Sequence, residues 1–272
     1  MGRVTTRRSI VRIGDGTRRV RSDRLAVEEP MELRVAGEQF SVTMRTPGHD
    51  FELAQGFLLS EGVISRRDQV VAIRYCAGRN DDENTYNVLD VTLRGADLGA
   101  LKSMQRQTYT SSSCGICGKA SLDAVATTTT YDPSGDSTVF DADVVVSLPD
   151  RLREAQKVFD LTGGLHAAGL FEPTGQPLVV REDVGRHNAV DKVLGWALEN
   201  DLLPLTGMAL CVSGRASFEL AQKATMAGVP LLVAVSAPSS LAVGLAEEVG
   251  LTIAGFVRGA TMNVYSRPDR IG

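Results

Sequence analysis

The chain has 272 residues, which suits one large or two moderate domains. A hydrophobic share of 43 % supplies a packed core, and a net charge of −4 argues against a general nucleic-acid binder. No run approaches the ~18 apolar residues of a membrane span, so neither nucleic acid nor membrane is an expected partner.

The first 24 residues hold eight arginines, including the pair Arg7-Arg8. A twin-arginine export signal needs an apolar stretch next, and Arg12, Asp15 and Arg18 interrupt it. Residues 1–24 are therefore expected to form a flexible basic arm. Residues 25–140 read as a small α+β domain. Residues 33–35 and 40–44 alternate like strands around Gly37. Phe51, Leu53, Ala54, Phe57 and Leu58 fall at helical spacing, closed by Gly62. Strands over 70–75 and 86–93 flank a polar turn over 78–84. Residues 105–118 lack periodicity and read as a mobile loop. The threonine run and Pro133-Ser134-Gly135 read as a linker, with a boundary near Phe140.

Residues 141–272 have another rhythm. A helix is predicted over 149–159 behind a Ser147 cap. Strands over 207–212, 229–235 and 251–257 then alternate with helices over 216–227 and 239–249. Near-continuous apolar strands between amphipathic helices predict an α/β domain on a largely parallel sheet. Ligands in such sheets bind beyond the strands' carboxyl ends. Three loops there are rich in small polar residues and lead into helices: 181–188, 213–217 and 236–240. Helix N-termini with Arg186 and Arg215 beside glycines suit phosphate or pyrophosphate. His187, among charged groups at a helix start, is expected to face a ligand. His166 alone reads as a core histidine, and Arg258 as a solvated strand end.

Four cysteines, Cys76, Cys114, Cys117 and Cys211, are too scattered for a disulfide framework, and no secretory apolar region precedes them. The expected setting is a reducing cytoplasm. Cys114 and Cys117 stand in Ser111-Ser112-Ser113-Cys114-Gly115-Ile116-Cys117-Gly118-Lys119, whose small polar approach suits exposed thiols. A zinc site needs four ligands and one CxxC supplies two. A zinc deaminase needs His-x-Glu upstream of its cysteine pair, whereas His166 follows the pair and precedes Ala167-Ala168. A thioredoxin-like pair belongs between a strand and a helix. Sulfur transfer fits better: it needs an accessible thiol on a segment able to travel, and Lys119 favours the thiolate.

The motifs Gly56-Phe57-Leu58-Leu59-Ser60-Glu61-Gly62, Cys114-Gly115-Ile116-Cys117-Gly118 and Leu161-Thr162-Gly163-Gly164-Leu165-His166-Ala167-Ala168 recur in a known order. Glu182-Asp183-Val184-Gly185-Arg186-His187-Asn188-Ala189-Val190-Asp191-Lys192 and Ser213-Gly214-Arg215-Ala216-Ser217-Phe218-Glu219 follow. Together the chain resembles the formate dehydrogenase accessory protein family, sulfurtransferases of the molybdenum cofactor.

The resemblance implies a cytoplasmic homodimer. Its C-terminal α/β domain, residues 141–272, would be layered like cytidine deaminase without the metal and would bind the cofactor. A cysteine desulfurase would load a persulfide on Cys114, with Cys117 as the second catalytic cysteine. The sulfur would pass to molybdenum in a bis-molybdopterin guanine dinucleotide before that cofactor enters formate dehydrogenase. Phe256, Val257, Arg258, Gly259, Ala260 and Thr261 would contact the cofactor beside Arg186, His187, Ser213 and Arg215. GDP or GMP would mimic part of it, and no structural metal is expected. A cofactor-binding chaperone without sulfur transfer and a thiol–disulfide exchange protein remain the alternatives.

Overall fold

The computed structural model describes residues 4–76, 86–95 and 129–272. The N-terminal segment is an antiparallel hairpin of β1 (Thr5–Gly14) and β2 (Thr17–Ala26) around Asp15-Gly16, both at positive φ. The flexible basic arm expected over residues 1–24 is corrected: from Thr5 onward the segment is paired strand. The turn chemistry of Asp-Gly between two ten-residue runs decides this.

A four-stranded sheet follows, in the order β4-β3-β6-β5. Its strands are β3 (Glu29–Val35), β4 (Glu38–Arg45), β5 (Val70–Tyr75) and β6 (Val88–Leu93). Met31, Leu33 and Val35 alternate into the core, as a half-buried strand requires. Ala36 and Gly37 take φ 52° and 81° in the β3–β4 turn, and Asp90 accepts the Gly37 N–H at 2.8 Å. Helix α1 (Asp50–Ser60) crosses from this sheet to the second half of the chain.

That second half is built on a six-stranded sheet, β12-β11-β10-β9-β7-β8. Helix α2 (Ala142–Glu154) begins at Asp141, whose carboxylate accepts the N–H groups of Asp143 and Val144, and Pro149 lies inside it. The expected start at Ser147 is thus corrected: the Ser147 hydroxyl donates to the Val144 carbonyl within the helix. A separate short helix, α3 (Lys157–Thr162), follows. Then come β7 (His166–Phe171), β8 (Pro177–Asp183), α4 (Arg186–Glu199), β9 (Ala209–Val212) and α5 (Phe218–Met226). The chain ends with β10 (Leu231–Ala234), α6 (Ser240–Val249), β11 (Thr252–Arg258) and β12 (Thr261–Ser266).

Strands β9, β10 and β11 are parallel, while β7 and β12 run antiparallel to their neighbours. The sheet is mixed, and its parallel part is the three strands predicted from alternation with helices. Leu210, Val212, Leu232, Ala234 and Ile253 face a core shared with α1, α4, α5 and α6. Ala209, Cys211, Leu231, Val233 and Ala254 face the opposite core beneath α2. Cys211 is fully buried, and burial pushes its thiol well above the ordinary range; it is a packing residue.

The first core also takes in Met31, Leu33, Leu53, Leu58 and Leu89, so one apolar interior joins both sheets. The joint is the crossing of α1 on α4. A Cβ on Gly56 would stand 1.8 Å from the Asp191 carbonyl oxygen, and one on Gly195 1.8 Å from that of Glu52. Only glycine permits this backbone approach. Charges buried beside the joint are paired. Lys223 donates to both Asp191 oxygens at 2.7 and 2.9 Å, and Ser60 Oγ donates to Asp191 at 2.8 Å. Lys192 donates to Asp183 at 2.7 Å and to the Thr46 carbonyl at 2.9 Å. Arg181 grips Glu52 through two nitrogens, at 2.5 and 2.7 Å. Among the described residues, no helix is long and apolar enough to cross a membrane.

Candidate functional site

The strand directions gather one edge of the six-stranded sheet. β8 is antiparallel to β7, and β7 to β9, so β8 ends on the same side as β9, β10 and β11. The start of β7 lies there too: His166 is in register with Asp183, the last residue of β8. The loops after β9, β10 and β11 are tied into a rim. Ser236 N–H donates to the Gly214 carbonyl at 3.2 Å, Ser239 N–H to Ala216 at 3.0 Å, and Phe256 N–H to Ser236 at 3.1 Å.

Each predicted residue has a place on this edge. Asp183, fully buried, holds the first loop by accepting from Gly185 N–H and Asn188 Nδ2 through one oxygen, and from Thr46 N–H and Lys192 through the other. Arg186 and His187 then open α4, whose N-cap Gly185 supplies no side chain. Among the described residues, Arg186 Nε is buried with no hydrogen-bond partner, and His187 Nε2 is buried with Glu219 at 3.7 Å. Ser213 exchanges bonds with Ala167 through its N–H and its hydroxyl, at 3.0 and 2.9 Å. Arg215 and Arg258 are exposed, and neither forms an ion pair among the described residues.

Residues 256–261 turn from β11 into β12, a strand absent from the sequence reading although Thr261-Met262-Asn263-Val264 alternates polar and apolar residues. Phe256 sits at φ 53°, an unusual conformation for a bulky side chain. Its ring lies 6.0 Å from the Arg258 guanidinium carbon. Gly259 takes φ 58° and Thr261 pairs with Arg258, with Ala260 between them. The Val257 side chain is buried in the core beneath α2, which leaves its backbone to face the rim.

Three residues at this edge escaped the sequence reading. His166, read as a core histidine, is half-buried at the rim, and a Cβ on Gly214 would stand 3.7 Å from its Nδ1. Burial, then the charges of Arg186 and His187, push its pKa below the ordinary value, so it is neutral at pH 7. Ser217 is the N-cap of α5, yet its hydroxyl makes no cap; it is buried beside Glu219, whose pKa it helps to lower. Glu219, in the first turn of α5, lies 3.7 Å from His187 Nε2, and the imidazole lowers its pKa to about 2 against the opposing effect of burial. Their signal was positional: a serine and an acid opening a helix beyond a strand read equally well as ordinary capping. Cys114, Cys117 and the loop over 105–118 lie outside the described residues.

Chemically, the edge offers donors without acceptors. Two long helices begin there without a side-chain cap, so their first N–H groups and positive dipole ends favour an anion. Arg186 adds a full charge within the same cleft.

The profile of the FdhD/NarQ family matches residues 26–272 of this sequence. The chain belongs to the FdhD/NarQ family. A sulfur carrier protein FdhD from Mycolicibacterium paratuberculosis is 59 % identical over 271 residues, 99 % of each chain. The FdhD of Streptomyces avermitilis is 58 % identical over all of this chain and 97 % of its own. A crystal structure from Desulfotalea psychrophila, assigned as a formate dehydrogenase accessory protein, superposes with a TM-score of 0.77. It is 24 % identical and covers 99 % of this chain and 100 % of that one, so this FdhD-family chain shares its α/β fold.

Proposed function

We propose that this protein is a sulfurtransferase that carries sulfur as a Cys114 persulfide to a bis-molybdopterin guanine dinucleotide destined for formate dehydrogenase. The donor is a cysteine desulfurase, the setting the cytoplasm, and the working unit a homodimer. Cys114 thiolate attacks the outer sulfur of the desulfurase persulfide; the new S–S bond forms as the donor cysteine leaves as a thiolate. Cys117 assists at the same loop. The family relationship and the names of the FdhD relatives support the sulfur-carrying half of this reading.

One observation carries the cofactor half: among the described residues, Arg186 Nε, His187 Nε2 and Ser217 Oγ are buried at a single sheet edge without a hydrogen bond of normal length, although Glu219 interacts with the latter two. Buried polar atoms are normally paired, and a ligand of phosphates and guanines, offering many acceptors, would pair them. Arg186, His187 and the N-termini of α4 and α5 would hold pyrophosphate. Arg215, Arg258 and the turn over 256–261 would border it.

Intact-mass spectrometry after incubation with a cysteine desulfurase and cysteine tests the proposal. The wild type should gain one sulfur, removable by a reductant, and Cys114→Ala should gain none. Equal loading of Cys114→Ala would overturn the assignment. No loading of the wild type would overturn sulfur carriage and leave the cofactor-binding chaperone and the thiol–disulfide exchange protein. Cys117→Ala should load in part if that thiol only assists.

A further inference from the structure

Among the described residues, the hairpin β1–β2 is a sheet of two strands. Such ribbons are marginal in water unless something covers them. Val11, Ile13 and Val20 are 44, 73 and 75 % exposed. They share one face, since Val11 pairs with Val20 and Ile13 lies two residues on. Residues 5–26 carry seven arginines and two aspartates, a charge of +5 in a chain of −4, which leaves −9 on the rest. Among the described residues no ion pair involves a hairpin arginine. The family match begins only at the hairpin's last residue, Ala26.

A complementary feature lies on the body. A cavity of about 380 Å³ opens between the start of α1, β5 and the end of α4. Phe51, Tyr75 and Tyr86 line it as a continuous aromatic wall, with successive ring centroids 5.2 Å apart. Arg45 at its side is already held by Asp50 at 3.1 Å. Glu199 and Glu29 also line the cavity. Glu199 accepts a hydrogen bond from Gln55 but has no cation in ion-pair range among the described residues. Burial pushes its carboxyl above the usual range, helped by Glu52 and opposed by the Gln55 hydrogen bond and the charges of Arg67 and Arg181. Aromatic faces beside carboxylates are a guanidinium site.

We infer that the hairpin of one copy reaches this cavity on a second copy and places a tip arginine, from Arg12, Arg18 or Arg19, against Phe51 and Tyr75 with Glu199 as counter-charge. Ten residues of strand at about 3.3 Å each give a reach of roughly 33 Å, enough to span to a neighbour. The complement to the ribbon's charge is on this same sequence, −9 against +5, and among the described residues no hairpin arginine pairs with a carboxylate of its own copy, so a second copy is the fitting occupant. A two-fold axis then exchanges both arms. This contact rests on the homodimer proposed above.

Sedimentation of the full chain separates the two ideas. The wild type should dimerise, and Arg12→Glu/Arg18→Glu/Arg19→Glu and Glu199→Lys should each raise the dimer Kd at least tenfold while keeping native circular dichroism. Mixed together, the two variants form a heterodimer with one wild-type contact and one charge-reversed but complementary contact, and affinity should recover to within a few-fold of wild type. A wild type that stays monomeric removes the dimer itself. A dimer insensitive to both variants, or a loss that mixing does not restore, overturns the arm contact alone.

Discussion

The joint between α1 and α4 and the rim of the six-stranded sheet are built from similar polar groups and treat them in opposite ways. At the joint, Asp191 finds Lys223 and Ser60, Asp183 finds Lys192, and Glu52 finds Arg181. At the rim, among the described residues, Arg186 Nε finds no acceptor, and His187 Nε2 and Ser217 Oγ have Glu219 near them but no hydrogen bond of normal length. Polar groups cost free energy when buried unpaired, so the first arrangement fixes the fold and the second awaits an outside partner. The two regions adjoin along α4: its first turn supplies Arg186 and His187, and its next turns supply Asp191, Lys192 and Gly195.

The largest effect should come from breaking the joint. Lys223→Met leaves the Asp191 carboxylate, 1 % exposed, without its cation. Removing one partner of a buried pair costs about 3–5 kcal/mol, which lowers Tm by roughly 6–20 °C for a domain of this size. Adding Asp191→Leu removes the orphaned charge and should return most of that loss. Thermal melts of the single and double variants decide the matter. A single variant melting with the wild type would mean that the joint does not depend on its paired charges.

The rim should respond the other way. Arg186→Ala removes a group whose Nε bonds to nothing among the described residues, so stability should move by no more than about 0.5 kcal/mol. Affinity for GDP, used as a probe of the cofactor's phosphates, should fall about ten- to a hundred-fold, the worth of one charge-assisted contact. Calorimetry beside a melt reads both quantities. A destabilised protein with unchanged GDP affinity would make Arg186 a structural residue like Lys223.

This contrast sets what the sequence could disclose. Strands β9, β10 and β11 were legible because both faces are buried and their residues are apolar throughout. Helix α1 was legible from its apolar spacing and Gly62. The hairpin β1–β2 was not, since strands exposed on both faces leave no alternation to read. Arg186, His187, Ser213 and Arg215 were legible as residues beyond strand ends in an α/β pattern. Which of their atoms lack partners was not legible, because pairing depends on neighbours such as Ala167 and Glu219 brought in from other strands and helices. Gly56 and Gly195 stood in the sequence without a stated role, and only the crossing of two helices gives them one.

The smallest effect sharpens the boundary between the two regions. Glu219 belongs to α5, a helix of the joint, but its carboxylate faces His187 at the rim. Its pKa is lowered from 4.5 to about 2, first by the His187 imidazole. A carboxyl whose folded pKa is depressed stabilises the fold fully above its unfolded value, and that contribution is lost as pH falls through the folded value. The window is therefore pH 4.5 down to about 2. Because the group is 40 % exposed, solvent screening holds the contribution to about 1 kcal/mol or less. Glu219→Gln should thus be slightly less stable than wild type at pH 7, and the gap should close as the pH approaches 2. Urea midpoints for both proteins at pH 7, 4 and 2.5 measure it, with every other titrating group cancelling in the difference. A gap that stays constant across those three values would show that His187 does not hold the Glu219 charge, and would assign Glu219 to the packed joint instead of the open rim.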